Sequence, residues 1–315
     1  MALTGTQKAQ IFNEVHWNAK FSSWHRPPSE AEEDRIQRAA RMIKDAIRAD
    51  GRLPNQDIEV IPQGSYHNNT NVRLNSDMDL CVRYNPQCVY PILPGSSTTA
   101  TDLGITPLPV ESVEATAREL KQVLHTVLGG IGRVEWGNKA LKVAGVEGSR
   151  VDADVVPAVV GYWVARSVVF GGLFGAPYLE KGTAIYSDDG RWIYNFPEQH
   201  HDRGREKNER TGRRYKRTVR ILKQLNDELL IFCKAPSFLV ESLVYNCPDE
   251  LFPGNDWYQT VSVVLGWMYA ETADVTKGDR LLEANGIKPL FGIDQPWSRE
   301  QAQSFARSAL VRIAS

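Results

Sequence analysis

The chain is poor in cysteine, has no long apolar run and no internal repeat, and carries almost no net charge. Four cysteines in 315 residues (Cys81, Cys88, Cys233, Cys247) form no Cys-x-x-Cys pair, which argues against a disulfide framework or a zinc finger. Reduced thiols in a cytoplasmic protein are the expectation. Apolar stretches such as Val261–Trp267 fall far short of the roughly 20 residues that a bilayer span needs. The opening MALTGTQKAQ has no basic stretch leading into an apolar one, so neither a signal peptide nor a membrane partner is expected. A net charge of −1 argues against a general nucleic-acid binder.

What is present is an ordinary globular composition, 42% hydrophobic and 24% charged. The length fits one large domain or two intimate ones, with roughly three quarters of the extended surface buried on folding. Ser29 followed three residues later by Glu32 reads as a capping box, and Ile36, Ala40, Ile43 and Ile47 recur at helical spacing until Gly51. Short strands are expected at Ile58–Ile61, Asp77–Tyr84, Arg133–Trp136, Ala140–Val146 and Val151–Val156, the last closed by Pro157. A second amphipathic helix is expected over Val110–Leu128, after a Pro/Gly/Ser-rich loop from Pro86 to Thr106. The second half has helical candidates at Thr218–Leu230, Pro236–Tyr245, Trp257–Tyr269 and Arg299–Ile313, with little strand signal among them. The pattern is a mixed α/β first part and a helical second part, with the boundary expected near residues 160 to 200.

Asp77 and Asp79 are two apart in an expected strand, so both carboxylates share one face while Met78, Leu80 and Val82 take the other. Side by side, such carboxylates repel unless a cation joins them, and hard oxygen ligands favour Mg²⁺ or Mn²⁺ over zinc. A lone Asp-x-Asp is equally a solvated strand edge. Its context adds weight, because Gln63-Gly64-Ser65 breaks the preceding strand. A glycine there lets backbone approach a phosphate, and the Ser65 hydroxyl can donate to one. Asp152 and Asp154 repeat the pattern on another strand. Asp154 is the favoured third ligand of a two-ion site, with Asp152 exposed to solvent. From Arg203 to Lys223 there are ten Lys or Arg against two Glu, a local +8 that fits either a local anionic ligand or a solvated helix face.

Gln63-Gly64-Ser65, the DMDLCV strand and the DVVP strand resemble the DNA polymerase β-like nucleotidyltransferases. Trp192–Pro197 (WIYNFP), Tyr215–Lys223 (YKRTVRILK) and Pro236–Glu241 (PSFLVE) are similar to the bacterial CD-NTases, relatives of cyclic GMP–AMP synthase found in anti-phage systems. The resemblance runs from about residue 30 to 255. It implies a polymerase β-like core with an N-terminal spine helix in residues 1–165, and a helical domain in 166–315. The two would form a bilobed α+β molecule with the site between them. It implies catalytic, metal-binding Asp77, Asp79 and Asp154 with two Mg²⁺ or Mn²⁺ ions, and nucleotide contacts from Gln63, Gly64, Ser65, Lys223, Ser237 and Phe238. Lys216, two turns before Lys223, is the reserve lysine, and Phe238 is equally a core aromatic. The expected activity is condensation of ATP and other nucleoside triphosphates into a cyclic di- or trinucleotide that acts on a downstream effector. The cysteine-rich zinc insertion of the animal enzyme has no counterpart, so no DNA activator is expected, and the chain is expected to be a monomer. The alternatives are a linear synthetase related to oligoadenylate synthetase or poly(A) polymerase, and a catalytically silent nucleotide-binding module.

Overall fold

A computed structural model describes residues 5–53, 55–72, 77–89, 102, 104, 109–168, 174–254, 256–293 and 295–314. In chain order these form α1 (Gly5–Trp24), α2 (Glu30–Ala49), β1 (Ile58–Gln63), the one-turn α3 (Gly64–His67), β2 (Met78–Val89) and α4 (Val110–Gly129). There follow β3 (Val134–Trp136), β4 (Leu141–Val143), β5 (Ala153–Val168), β6 (Phe174–Tyr186) and β7 (Trp192–Asn195). The chain ends in α5 (Pro197–Arg210), α6 (Tyr215–Asp227), α7 (Ser237–Asn246), α8 (Trp257–Ala273), the short α9 (Val275–Gly278) and α10 (Arg299–Ala314). Two compact units emerge: a sheet unit of residues 29–67 and 76–198, and a helical unit of 1–28, 68–75 and 199–315.

In the sheet unit the strands run β1-β2-β5-β4-β3, with β6 paired to β5 and β7 to β6. The β2–β5 pair is parallel and the other pairs are antiparallel. Ile36, Ile43 and Ile47 of α2 and Leu120, Leu124 and Leu128 of α4 pack on Met78, Leu80, Val82, Leu141 and Val155. Each such side chain contributes about 1.5–3 kcal/mol by leaving water. The alternation of β2 therefore points Asp79, Cys81 and Arg83 to the opposite face. The Ser29–Glu32 capping box forms as expected, with Ser29 N donating to Glu32 Oε2 at 2.8 Å and Glu32 N to Ser29 Oγ at 3.4 Å.

Pro157 does not close β5, contrary to the sequence expectation. The β4 ladder ends at the Leu141–Val155 pair and the β6 ladder begins at Val159–Ala184, so on that side of β5 Pro157 stands opposite neither strand. Its missing N–H costs no ladder bond there. The loop expected from Pro86 begins later, because β2 continues to Val89; residues 90–101 lie outside the described ones. The tail Val311–Ala314 is the end of α10.

The helical unit is built on Trp17 and Phe21 of α1, Val219 and Leu222 of α6, Leu239 and Leu243 of α7, Val264 and Met268 of α8, and Phe305 and Ala309 of α10, all buried. Sequence reading assigned no element before Ser29, yet α1 is part of this core. The units also differ from a contiguous division at 165/166. Residues 1–28 and 68–75 group with the helices, while β6 and β7 extend the sheet. Among the described residues no helix is long and apolar enough to cross a membrane, and all four cysteines are free thiols.

Candidate active site

One row of residues crosses four strands of the sheet unit. Gln63 pairs with Asp79, Asp79 with Asp154, and Asp154 with Lys142. Neighbouring strands lie about 4.8 Å apart, so the two aspartates stand side by side at the centre of the sheet. Asp77 and Asp152 come one level earlier, each just before its strand, where Met78 N donates to the Asp152 carbonyl at 3.0 Å. The Asp152 carboxylate accepts from Gly145 N at 2.6 Å and is exposed.

Gly64 follows Gln63 at φ +73°, a left-handed conformation that other residues reach only with strain. A Cβ there would collide with the Asp79 carboxylate, meeting its Cγ at 2.6 Å. The glycine thus makes room for the Asp79 carboxylate, where sequence reading had given it only the approach of backbone to a phosphate.

Burial, with Asp152 and Asp154 close by, pushes the Asp77 carboxyl above the usual range, while Lys142 pulls it down. Asp154 is likewise raised by burial and Asp152 against the pull of Lys142. Burial and a neighbouring like charge both disfavour the ionised carboxylate, and an opposite charge restores it. The donors are all hard oxygens, which fits Mg²⁺ or Mn²⁺. Among the described residues no three His, Cys, Asp or Glu side chains are grouped closely enough to hold a metal ion. Lys142 was missed by sequence reading. Its signal was the Leu141-Lys142-Val143 alternation, which puts one lysine on the polar face of an expected strand.

Behind the row, on the same face of β2, the buried Arg83 guanidinium bonds Glu59 Oε2 at 2.6 Å, Glu198 Oε2 at 3.1 Å and the Gly182 carbonyl at 3.3 Å. This fixes strand β2 to its neighbours.

The other candidates belong to the helical unit. Lys223 Nζ donates to Glu241 Oε2 at 2.9 Å and to the Thr70 carbonyl and hydroxyl at 3.2 Å each. Those acceptors take all three ammonium protons, where the resemblance implied phosphate oxygens. Burial opposes a charged Glu241, but Lys223 and His200 overrule it and hold the carboxyl well below the usual range. Ser237 is exposed at the start of α7, one turn before Glu241. Phe238 is half-buried, edge-on to His200 at 5.3 Å between centroids and tilted against Trp297 at 5.9 Å. Lys216 is buried, and its pKa is lowered by burial and by Arg220 and Arg205, against the pull of Glu241.

Much of the basic run is internal. Lys207 bonds the Cys247 carbonyl and Asp249, both at 2.7 Å, and Arg214 stacks 3.8 Å from the Trp257 ring centroid. A cavity of about 540 Å³ in this unit is lined by Leu229, Cys233, Tyr269, Arg307 and Val311, none of them a residue the sequence singled out.

Residues 202–313 match the cGAS/DncV-like nucleotidyltransferase C-terminal helical domain. Along nearly its whole length, 94% of this chain and 97% of the relative, the sequence is 36% identical to a cyclic dipyrimidine nucleotide synthase, CdnE, of Legionella pneumophila. The chain belongs to the CD-NTase family. A cyclic dipurine nucleotide synthase of Elizabethkingia meningoseptica is 34% identical over 90% of the chain and 93% of the relative. The structure of the Rhodothermus marinus CdnE c-UMP-AMP synthase with Apcpp and Upnpp aligns with a TM-score of 0.73 at 25% identity, over 93% of this chain and 94% of that one. This CD-NTase is accordingly a nucleotidyltransferase of the cyclic-nucleotide type, with a polymerase β-like core and a C-terminal helical domain. Its relatives include dipyrimidine, dipurine and mixed UMP–AMP synthases.

Proposed function

We propose that this CD-NTase condenses ribonucleoside triphosphates, ATP among them, into a cyclic di- or trinucleotide that signals phage infection to a downstream effector. The adjacent Asp79 and Asp154 on the central parallel pair, with Asp77 one level earlier and Gln63-Gly64 at the edge, are the observation that carries the reading. Two divalent ions held by Asp77, Asp79 and Asp154 would supply charge neutralisation and lower the pKa of the attacking hydroxyl. The chain itself binds and orients. Gly64 and Ser65 approach the triphosphate through backbone and hydroxyl, and Ser237 offers a second hydroxyl. Lys223 contributes positive charge while keeping its bonds to Glu241 and Thr70. Phe238 offers a ring edge to a base. A 2′ or 3′ hydroxyl then loses its proton and attacks the α-phosphorus as the bond to pyrophosphate breaks, and a second round closes the ring. Positioning and electrostatics carry most of the rate.

The test is incubation with all four ribonucleoside triphosphates and Mg²⁺ or Mn²⁺, followed by phosphatase and mass spectrometry. A phosphatase-resistant cyclic mass, absent from the Asp77→Ala/Asp79→Ala variant, is expected. A phosphatase-sensitive ladder would indicate a linear synthetase. No product from the parent protein would overturn the enzymatic reading.

A further inference from the structure

Three consecutive residues outside the catalytic row are each gripped by a different side chain of the helical unit. Asn68 Nδ2 lies 3.1 Å from His200 Nδ1, and His200 Nε2 lies 2.8 Å from Glu241 Oε1. Arg220 donates to both the backbone carbonyl and the side-chain oxygen of Asn69, a residue at φ +53°. Thr70 Oγ1 donates to Glu241 Oε2 at 2.7 Å while its hydroxyl and carbonyl accept from Lys223. Thr70 is 0% exposed, Asn68 and Glu241 3%, Lys223 6% and His200 9%, so these bonds are made away from water. The proton order follows from the chemistry. An Asn amide donating to Nδ1 leaves Nε2–H to donate to the carboxylate, so Glu241 collects bonds from His200, Thr70 and Lys223 together.

The gripped segment is the connection between the two site motifs. Asn68 stands three residues after Ser65, a reach of at most about 10 Å, and Thr70 stands seven before Asp77. We infer that Glu241 is a positioning residue, acting through Thr70, Lys223 and His200 to clip Asn68–Thr70, the segment that the chain itself runs between Gly64-Ser65 and Asp77-x-Asp79. This rests on the reading of those motifs as phosphate and metal ligands. Glu241 itself touches no substrate. Its carboxylate is spent on three internal donors, and an unpaired buried carboxylate would not persist there.

Thr70→Val keeps the side-chain volume and removes the hydroxyl, whereas Thr70→Ser keeps the hydroxyl. In the full chain, Thr70→Val should raise the KM for nucleoside triphosphate about tenfold or more, with a smaller effect on kcat and with Tm within a few degrees. In the nucleotide-free protein, amides of residues 68–72 should exchange about tenfold faster, with α7 and α8 unchanged. Thr70→Ser should stay within about threefold of the parent in KM and in exchange. Glu241→Gln should raise KM at least as far, and adding Thr70→Val to it should change KM by less than about twofold, because both act through one clip. A Thr70→Val protein with parental KM and exchange overturns the inference. So do equal effects of the Val and Ser variants, or loss of exchange protection throughout the unit. If the parent makes no product, the reading of the reaction fails while the exchange rates still decide the clip: faster exchange in Thr70→Val alone supports it, and unchanged exchange overturns it.

Discussion

Asp77 and Asp154 are carboxylates whose pKa the fold raises, through burial and the nearby Asp152 charge, with Asp154 adding to the push on Asp77. A carboxyl raised in this way binds protons that the unfolded chain, titrating near about 3.9, has already lost. The metal-free protein should therefore lose stability as pH climbs from that value through the raised one. Mg²⁺ should reverse the trend, because binding expels those protons, and its affinity should rise with pH over the same window. Asp77→Asn should flatten the metal-free slope and raise stability at neutral pH by about 0.5 kcal/mol or less, since solvent screens a half-exposed group. Thermal melts of both proteins across pH, with and without Mg²⁺, check the sign; a steeper slope in the variant would contradict it. The residue types of the site were legible in the sequence because Asp-x-Asp on a strand and Gly-Ser after one are local patterns. Lys142 and Glu241 were not, since a lysine in a short strand and a glutamate in an apolar helix gain meaning only from neighbours far along the chain.

At the scale of elements, α6 and α7 are joined by one buried ion pair, Lys223 with Glu241. Removing Lys223 leaves the buried Glu241 carboxylate without its ammonium partner. Lys223→Met alone should cost about 3–5 kcal/mol, and Lys223→Met/Glu241→Gln should recover a good part of that. Urea unfolding of the three proteins measures it, and a double variant no more stable than the single would refute the pairing argument. Elements with a strong period or a cap were readable from sequence. The α2 capping box, the α6 face and the Asp-x-Asp strand all form where expected, within a few residues. Pro157 shows where local reading stopped. A proline ends an isolated strand pattern, but within β5 it falls where the flanking ladders change over from β4 to β6.

At the scale of the whole molecule, the chain enters the helical unit three times, at 1–28, 68–75 and 199–315. Trp17 and Phe21 from the first passage lie in the same core as Phe305 and Ile313 from the last. A fragment of residues 166–315 should therefore fail to fold cooperatively, with exposed core detected by dye binding and no sharp melt, while the full chain melts sharply. A cooperative melt of the fragment would show that α1 and the clip segment are dispensable. The sequence by itself determined the Asp-x-Asp strand, the Gly-Ser turn after β1, the capping box of α2 and the family resemblance. These depend on period, spacing and side-chain chemistry, which are local. Tertiary structure alone decided that Asp79 and Asp154 are in-register neighbours, that Gly64 yields space to Asp79, that α1 completes the helical core, and that Lys223 is bound to Glu241 and Thr70. Each of these joins residues from 15 to nearly 300 positions apart, and a residue's type does not say which distant partner the folded backbone will bring to it.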